Sequence, residues 1–552
     1  MNDIRRTILW VVFGFSLVML WDQWQIHNGR KPTFFPPAPG ATSAATGAAP
    51  TAASISTPAP ATVSQVSNQP PSAIANFVAE RIDIQTDVLK LQFSTEGASL
   101  VKAELLKHKD VHHPGSNVLL MDDSPDRIYL AQSGLIGAAG ATWPTHKTPM
   151  TFSGAKELKD SDQTLEFRFE SAPINQLKLA KIFTLKRGSY AVEVRHEILN
   201  ASNEAVSPQL YLQLVRDGNK PAGESAFYST FTGPAVYTSE KKYQKIEFSD
   251  IEKNKADFEK QTTQGYVAMV QHYFASAWLI DDLQQRDLFA RKVDNNLYSV
   301  GMVMALPRIA PGEKISHTSR LFVGPQEEKS LEALYPGLEL VKDYGWLTIL
   351  SKPLFWLLYE LFRVIGNWGW SIVALVVVLK IAFYWLNSQA YKSMGKMKAI
   401  NPKIMEMRER LKDNPQQMQM EMMKIYREEK VNPLGGCLPI AVQIPFFIAL
   451  YWVLLSSVEM RNAPWIGWIH DLAAPDPWFI LPLLMTATSM FQTWLNPTPP
   501  DPIQAKMMWF MPLAFSVMFF FFPAGLVLYW LSNNILSIAQ QWMINKQLGV
   551  LN

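Results

Sequence analysis

The sequence predicts a multi-pass α-helical membrane protein that carries a large β-sandwich domain outside the membrane. The long apolar runs of the 552-residue chain are concentrated between 346 and 545, whereas the stretch from 81 to 330 is polar and contains short alternating runs. A segment of Pro, Ala, Thr and Ser separates that stretch from an apolar N-terminal run. Apolar runs of about 20 residues match the thickness of a bilayer, and alternating runs are typical of half-buried strands.

The composition excludes several classes of function. A net charge of +3 over this length is too small to indicate nucleic acid as a partner, and the single cysteine, Cys437, excludes an internal disulfide framework. The sequence contains neither a Walker motif nor a dinucleotide-binding glycine loop, and His112 and His113 lack ligands at metal-binding spacing. We therefore expect no active site, no metal and no cofactor.

Residues 1–25 are predicted to form an uncleaved signal-anchor transmembrane helix. Arg5 and Arg6 precede the apolar run and place the N-terminus in the cytoplasm, while Trp21 and Trp24 resemble an interfacial belt. Residues 26–80 are predicted to be a flexible linker, because their small and polar side chains cannot bury enough apolar surface to offset the entropy of ordering.

Residues 81–340 are predicted to form an antiparallel β-sandwich in the periplasm. Apolar residues alternate with charged ones at Leu165, Phe167 and Phe169, and similar runs recur near Val192 and Leu210. Gly, Pro and Asn turns separate these runs, and no alternation of strands with helices is visible.

The C-terminal part is predicted to hold five of six transmembrane helices. The segment 346–366 contains Lys352, Pro353, Glu360 and Arg363, so we expect it to lie along the outer membrane surface as an amphipathic helix. The remaining predicted segments are transmembrane helix 2 at 367–387, a cytoplasmic helical hairpin at 388–435, transmembrane helices 3 to 6 within 437–545, and a short cytoplasmic tail at 546–552. Basic residues concentrate in the segments that this topology places in the cytoplasm.

Lys380 is the most informative residue of the predicted spans. It interrupts the apolar run from Val373 to Phe383, and a straight helix would place it about 18 Å from both Trp368 and Lys392, near the middle of the bilayer. A cation at that depth costs about 2.5–3.5 kcal/mol and should contact water or a partner. The predicted spans 3 to 6 contain no Asp or Glu to serve as that partner, so we expect a hydrated cavity. The alternative is a structural lysine buried against helix-end carbonyls.

Several polar residues of other spans are candidates for lining this cavity, and hydrogen bonding between helices explains each of them equally well. They are Gln443, Ser532, Asn533, Asn534 and Gln540.

The cytoplasmic hairpin is rich in methionine. Asn414 is expected to cap its second helix, which would begin at Pro415. Flexible thioether side chains suit varied apolar clients, although they could equally join the two helices. The candidate contact residues are Met394, Met397, Met405, Met418 and Met422.

The C-terminal 200 residues resemble the YidC family, which includes the mitochondrial oxidase-assembly and chloroplast Albino insertases. The resemblance rests on Gly366 to Gly369, Met405 to Arg410, Val431 to Pro439, Gln443 to Pro445 and Pro523 to Trp530. The order of anchor, linker, outer domain and five-helix core is similar to that of the Gram-negative form, whose periplasmic domain is a supersandwich.

The resemblance implies an inner-membrane insertase and chaperone without catalytic activity. Its clients would be nascent membrane proteins, and the protein would act alone or with the Sec translocon. A hydrophilic groove, open to the cytoplasm and to lipid and closed on the outer side, would take the polar flank of a client while the hydrophobic segment passes into the bilayer. The ribosome and the signal-recognition-particle receptor are further expected partners. The groove would contain Lys380, where many relatives have Arg, together with Gln443, Tyr529, Trp530 and Asn533. The short tail makes direct ribosome docking less expected.

Two other classes of function remain open from the sequence. An intramembrane cation also suits a secondary transporter or channel, but no inverted repeat is visible. A sugar-modifying outer domain is weakened by the lack of a recognisable acid-base pair.

Overall fold

The computed structural model describes residues 78–547 except 111, 112, 114, 138–141, 222–229, 412–413, 430–437 and 497–501. The predicted signal anchor at 1–25, all of the linker except its last three residues, and the end of the tail lie outside these residues. The described residues other than 502–507 belong to one compact unit.

Eighteen antiparallel strands are described between residues 81 and 325. They are β1 Arg81–Gln85, β2 Leu89–Ser94, β3 Ser99–Lys109, β4 Asn117–Ser124, β5 Arg127–Ile136, β6 Met150–Gly154, β7 Thr164–Ser171, β8 Leu177–Lys186, β9 Ala191–Asn200, β10 Gln209–Asp217, β11 Gly233–Thr238, β12 Lys242–Lys245, β13 Gln261–Thr262, β14 Gly265–Val270, β15 Phe274–Leu279, β16 Arg286–Asp294, β17 Leu297–Ala305 and β18 Lys314–Pro325. One sheet has the order β1-β2-β3-β4-β5-β10-β17-β16-β13, and the other has the order β12-β11-β14-β15-β18-β9-β8-β7-β6.

The two sheets pack face to face, which confirms the predicted β-sandwich. In β7 the side chains of Leu165, Phe167 and Phe169 are buried and those between them are more exposed, as the period-two pattern predicts. Phe93 of the first sheet meets Phe183 of the second, with ring centroids 4.7 Å apart. Contacts of this kind across the two inner faces form the core of the domain.

A lysine lies fully buried inside this sandwich. The Nζ atom of Lys181 on β8 donates hydrogen bonds to the carbonyl oxygens of Gly97, at 2.6 Å, and Ser133, at 2.8 Å. Ser133 lies on β5 and Gly97 in the turn between β2 and β3, so both acceptors belong to the sheet that does not contain β8. The lysine therefore links the two sheets by hydrogen bonds. Ser133 in turn bonds His196 at 2.9 Å. Burial lowers the pKa of Lys181 to about 7, and burial also lowers the pKa of His196 well below its usual value.

We expect the stability of the β domain to rise with pH between about 7, the pKa of Lys181 in the folded chain, and about 9; at higher pH the rise is opposed by buried tyrosines such as Tyr211 and Tyr243, whose pKa is raised by burial. In this range the unfolded chain keeps the lysine proton and the folded chain releases it, so the unfolded state binds more protons and is favoured at the lower pH. The slope approaches about 1.4 kcal/mol per pH unit. Urea unfolding at several pH values measures it.

Two lysines of β8, one buried and one exposed, allow the source of this pH dependence of stability to be tested. Lys181→Met should remove the rise in stability between about pH 7 and 9 even though it also destabilises the domain, whereas Lys186→Met, at an exposed position of β8, should retain it. An unchanged slope in Lys181→Met would exclude Lys181 as its source.

Ten α-helices are described, two of them short and within or directly after the β domain. They are α1 Phe248–Glu252, α2 Glu328–Leu334, α3 Thr348–Ile365, α4 Trp368–Ala382, α5 Tyr384–Arg410, α6 Pro415–Glu428, α7 Leu438–Ser456, α8 Ile480–Leu495, α9 Pro502–Phe519 and α10 Ala524–Gln547. Helix α3 coincides closely with the segment predicted to be amphipathic. Ile349, Trp356 and Val364 are exposed on it, while Leu354 and Leu358 are buried.

By length and hydropathy, no single described helix is sufficient to cross a bilayer, whereas α4 and α5, bent by 70° at their junction, meet the requirement as a pair. The number of six spans therefore stays a prediction.

The straight helix predicted over 367–387 is wrong in one respect, because α4 ends at Ala382 and the chain turns before α5 begins. Aromatic residues at the junction have modest helix propensity, and Gln540 of α10 donates to the carbonyl oxygen of Tyr384 at 3.4 Å. Lys380 therefore lies in the last turn of a helix rather than in the middle of one.

The β domain and the helices are joined by a buried ion pair. Lys342 follows the last strand of the domain, and its Nζ atom lies 3.0 Å from both carboxylate oxygens of Glu459, in the loop after α7. The lysine side chain is fully buried and lies 3.8 Å from the ring centroid of Phe355.

Two further hydrogen bonds connect the β domain to the end of α7 and to the loop that follows it. His272 Nε2 donates to the carbonyl oxygen of Leu455 at 2.9 Å, and Arg461 donates to that of Lys109 at 3.0 Å. Burial lowers the pKa of His272 to about 4, so the imidazole is neutral at pH 7 and its protonated nitrogen is the donor. The junction is therefore held by directed polar contacts.

Candidate functional site

The start and the end of α4 together determine where Lys380 lies in that helix. The helix starts where the side chain of Asn367 accepts a hydrogen bond from the backbone N–H of Trp370 at 3.0 Å. It ends at Ala382, so Lys380 lies in the final turn, where the partial negative charge of free carbonyl groups favours a cation. The Nζ atom of Lys380 donates to Ser537 Oγ of α10 at 2.6 Å.

A small cavity adjoins this lysine. It is lined by Val376, Leu379, Lys380, Phe383, Gln443, Phe446, Phe447, Tyr529 and Asn533, which come from α4, the α4–α5 junction, α7 and α10. Its volume of about 30 Å³ is enough for one or two water molecules. Four of the five groove residues predicted from the sequence meet here, namely Lys380, Gln443, Tyr529 and Asn533. None of these described lining residues carries a carboxylate, and Ser537, which accepts from the ammonium, is neutral.

Trp530, the fifth predicted groove residue, does not line this cavity. Consecutive residues of a helix point about 100° apart, and this rotation directs Trp530 away from the cavity that Tyr529 lines. Trp530 instead borders a larger cavity of about 610 Å³ between α8 and α9, where its ring lies 4.6 Å from that of Phe519. The larger cavity is lined mainly by methionine and aromatic side chains, together with Ser489, Gln492, Thr493 and Asn496.

Two residues that the sequence reasoning missed complete the lysine site. Ser537 follows Tyr529 and Asn533 at intervals of four residues and thus lies on the same face of α10, a spacing that could have identified it. Asn387 of α5 accepts a hydrogen bond from Gln443 Nε2 at 2.8 Å. Asn387 is 6% exposed, and its own Nδ2 has no hydrogen-bond partner among the described residues.

The structure divides the predicted methionine surface into two groups. Met397, Met418 and Met422 pack against Ile400 and Ile404 between α5 and α6, which favours the interpretation that they join the helices. Met394 is partly exposed and Met405 is 54% exposed. Met420 and Met423, which were not among the candidate contacts, are also exposed. The apolar surface available to a client is therefore smaller than the sequence suggests.

The predicted cap of α6 is confirmed. Asn414 Oδ1 accepts a hydrogen bond from the backbone N–H of Gln417 at 3.1 Å, and the helix begins at Pro415. Among the residues for which the structure gives positions, no group of three or more His, Cys, Asp and Glu side chains could hold a metal ion.

Comparisons with known proteins cover almost the whole described chain. The family described as "YidC periplasmic domain" matches residues 81–357, and the family described as "60Kd inner membrane protein" matches residues 358–549. The membrane protein insertase YidC of Ralstonia nicotianae is 54% identical over 554 residues, covering 99% of this chain and 98% of that protein. The membrane protein insertase YidC of Cupriavidus metallidurans is 53% identical over 551 residues, with the same shares covered.

Among solved structures, a crystal structure of an active YidC insertase with its first transmembrane domain resolved is similar to this chain. The sequence identity is 17% and the TM-score is 0.37, with 83% of this chain and 91% of that chain covered.

Proposed function

This chain belongs to the YidC family, and from that premise we propose that it is a membrane protein insertase whose lysine cavity receives the polar flank of a client. The observation that carries the proposal is the Lys380 ammonium, bonded to a neutral hydroxyl beside a cavity with no carboxylate among its described lining residues. Such a cation is available to an incoming acceptor, and a carboxylate is the acceptor with which it forms the strongest bond.

The proposed mechanism lowers the cost of moving polar groups through lipid. A client segment that carries an acidic residue would bind at Lys380, Gln443 and Asn533, while the adjoining hydrophobic segment enters the bilayer beside the helices. The hydrogen-bonding side chains replace water for the polar flank, which would otherwise cross hydrocarbon unsatisfied. Burial of the apolar segment and the membrane potential supply the driving force, so no nucleotide is required.

The same proposal includes location and partners. The protein would lie in the bacterial inner membrane with its β domain in the periplasm and both termini in the cytoplasm. Nascent membrane proteins are the clients; the Sec translocon, the ribosome and the signal-recognition-particle receptor are further proposed partners. The exposed Met405, Met420 and Met423 of the cytoplasmic hairpin would contact apolar client segments before insertion.

Site-specific crosslinking tests the route. A photoreactive residue at position 533, which lines the lysine cavity, should crosslink to stalled nascent membrane proteins in native membranes. Position 534 is the matched control, because Asn534 bonds Ser489 on α8 at 2.9 Å and does not line that cavity. Equal yields at 533 and 534, or none at 533, would contradict the proposed path.

A further inference from the structure

In the structure, the Lys380 ammonium donates a hydrogen bond to Ser537 Oγ. Its acceptor, Ser537, is 4% exposed and lies two turns beyond Tyr529 on α10. Tyr391 of α5 forms a second side-chain hydrogen bond to Ser537 and so orients the hydroxyl. Of the two amides that line the cavity with the lysine, Gln443 and Asn533, Gln443 donates through its Nε2 to Asn387.

We infer that Ser537 is a built-in competitor for the Lys380 ammonium, which sets how strongly a client must bind in order to enter the site. The inference rests on the proposed function, since it assumes that clients bind at Lys380. Ser537 accepts from one of the three N–H donors of the ammonium and holds the Nζ atom against α10, so a client group that draws Nζ towards itself has to break this bond. Ser537 is therefore a positioning residue that determines client affinity rather than a residue that binds the client.

The strengths of the competing bonds explain why acidic clients would succeed. A hydroxyl is a neutral acceptor, and an amide or hydroxyl of a client offers the ammonium a bond of similar strength, so little is gained by the exchange. A carboxylate forms a bond in which both partners are charged, which is roughly twice as strong. Neutral clients therefore reach half-saturation of the site only at higher concentrations than acidic ones.

The size and polarity of the site support displacement. The cavity of about 30 Å³ admits water but not a side chain, so a client group requires Lys380 to leave its resting position. The buried Nδ2 of Asn387 is a second hydrogen-bond donor that finds no acceptor among the described residues. Asn387 does not line the cavity but bonds Gln443, which does, so this donor lies one side chain away from the site.

The test measures concentration dependence of insertion into vesicles that contain the purified full-length chain. Two synthetic single-span clients differ only by Glu or Gln in the translocated flank. Ser537→Ala should lower the half-saturating concentration of both clients by roughly three- to tenfold, the factor that corresponds to one lost neutral hydrogen bond, and leave the maximal rate unchanged. Ser537→Thr keeps the hydroxyl and should behave as the natural protein. Ser537→Cys, with a weaker acceptor, should fall between them.

A double-mutant cycle separates this inference from the proposed function. In a Lys380→Ala background, Ser537→Ala should have no further effect, because there is no ammonium to compete for. If Ser537→Ala leaves the half-saturating concentration unchanged, or lowers it equally without Lys380, the competitor role is wrong. If Lys380→Ala leaves the difference between the Glu and Gln clients intact, the proposed function itself fails. Should Ser537→Ala fold poorly, the comparison of the Thr and Cys variants decides the outcome.

Discussion

Replacing Lys380 with alanine should reduce the insertion of clients with acidic translocated flanks by roughly ten- to a hundredfold. The replacement removes a hydrogen bond between charged groups, which contributes about 1.5–3 kcal/mol. Clients with neutral flanks should change little, because they gain no charge attraction from the lysine. Protease protection of newly inserted clients in membranes that contain only the variant measures the effect.

Two control variants show whether charge at position 380 is responsible. Lys380→Arg keeps the positive charge and should insert acidic clients nearly normally. Lys392→Ala removes an exposed lysine of α5, outside the cavity lining, and should leave the difference between acidic and neutral clients unchanged. Normal insertion of every client by Lys380→Ala would contradict the proposal that the charge of Lys380 binds acidic client flanks.

The second large effect is expected at the buried ion pair between Lys342 and Glu459. Lys342→Met should lower the free energy of unfolding by about 3–5 kcal/mol, because the Glu459 carboxylate would remain buried without its partner. Urea unfolding of the full-length protein in detergent measures the change. Limited proteolysis should show cleavage between β18 and α3 earlier than in the natural protein.

The double replacement Lys342→Met with Glu459→Leu is the informative control for this pair. Two apolar side chains of similar volume remove both charges, and such exchanges are often neutral or stabilising. The double variant should therefore recover most of the stability that the single variant loses. Arg363→Ala, which breaks an exposed pair with Glu360, should change stability by about 0–1 kcal/mol. A loss as small as this in Lys342→Met would show that the junction does not depend on the ion pair.

The two effects concern different properties of the molecule. The Lys342 pair holds the β domain on the loop after α7, and its loss should reduce the amount of folded protein available. The Lys380 site concerns which clients the folded protein accepts. Measuring insertion relative to the amount of folded protein separates the two contributions.

Several features were readable from short stretches of the chain. The alternation at Leu165, Phe167 and Phe169 predicts a half-buried strand, and the cap at Asn414 predicts the start of a helix. Lys380 is recognisable because it is a single charge in a long apolar run. Each of these signals depends on the nearest few residues, whose periodicity, capping chemistry and hydropathy act locally.

The tertiary structure decided which distant residues meet. Ser537 and Asn387 join the lysine site, whereas Trp530 lines a different cavity and three of the five candidate methionines pack between helices. Lys342 and Glu459 are 117 positions apart, yet they form the buried pair at the junction. Contacts of this kind depend on how whole elements pack and where helices bend. The 70° turn after Ala382 could not be predicted from a proline or a glycine, because neither occurs at that position. The sequence by itself therefore determined the class of fold and the residue that carries the charge, while packing between distant segments determined the partners of that charge.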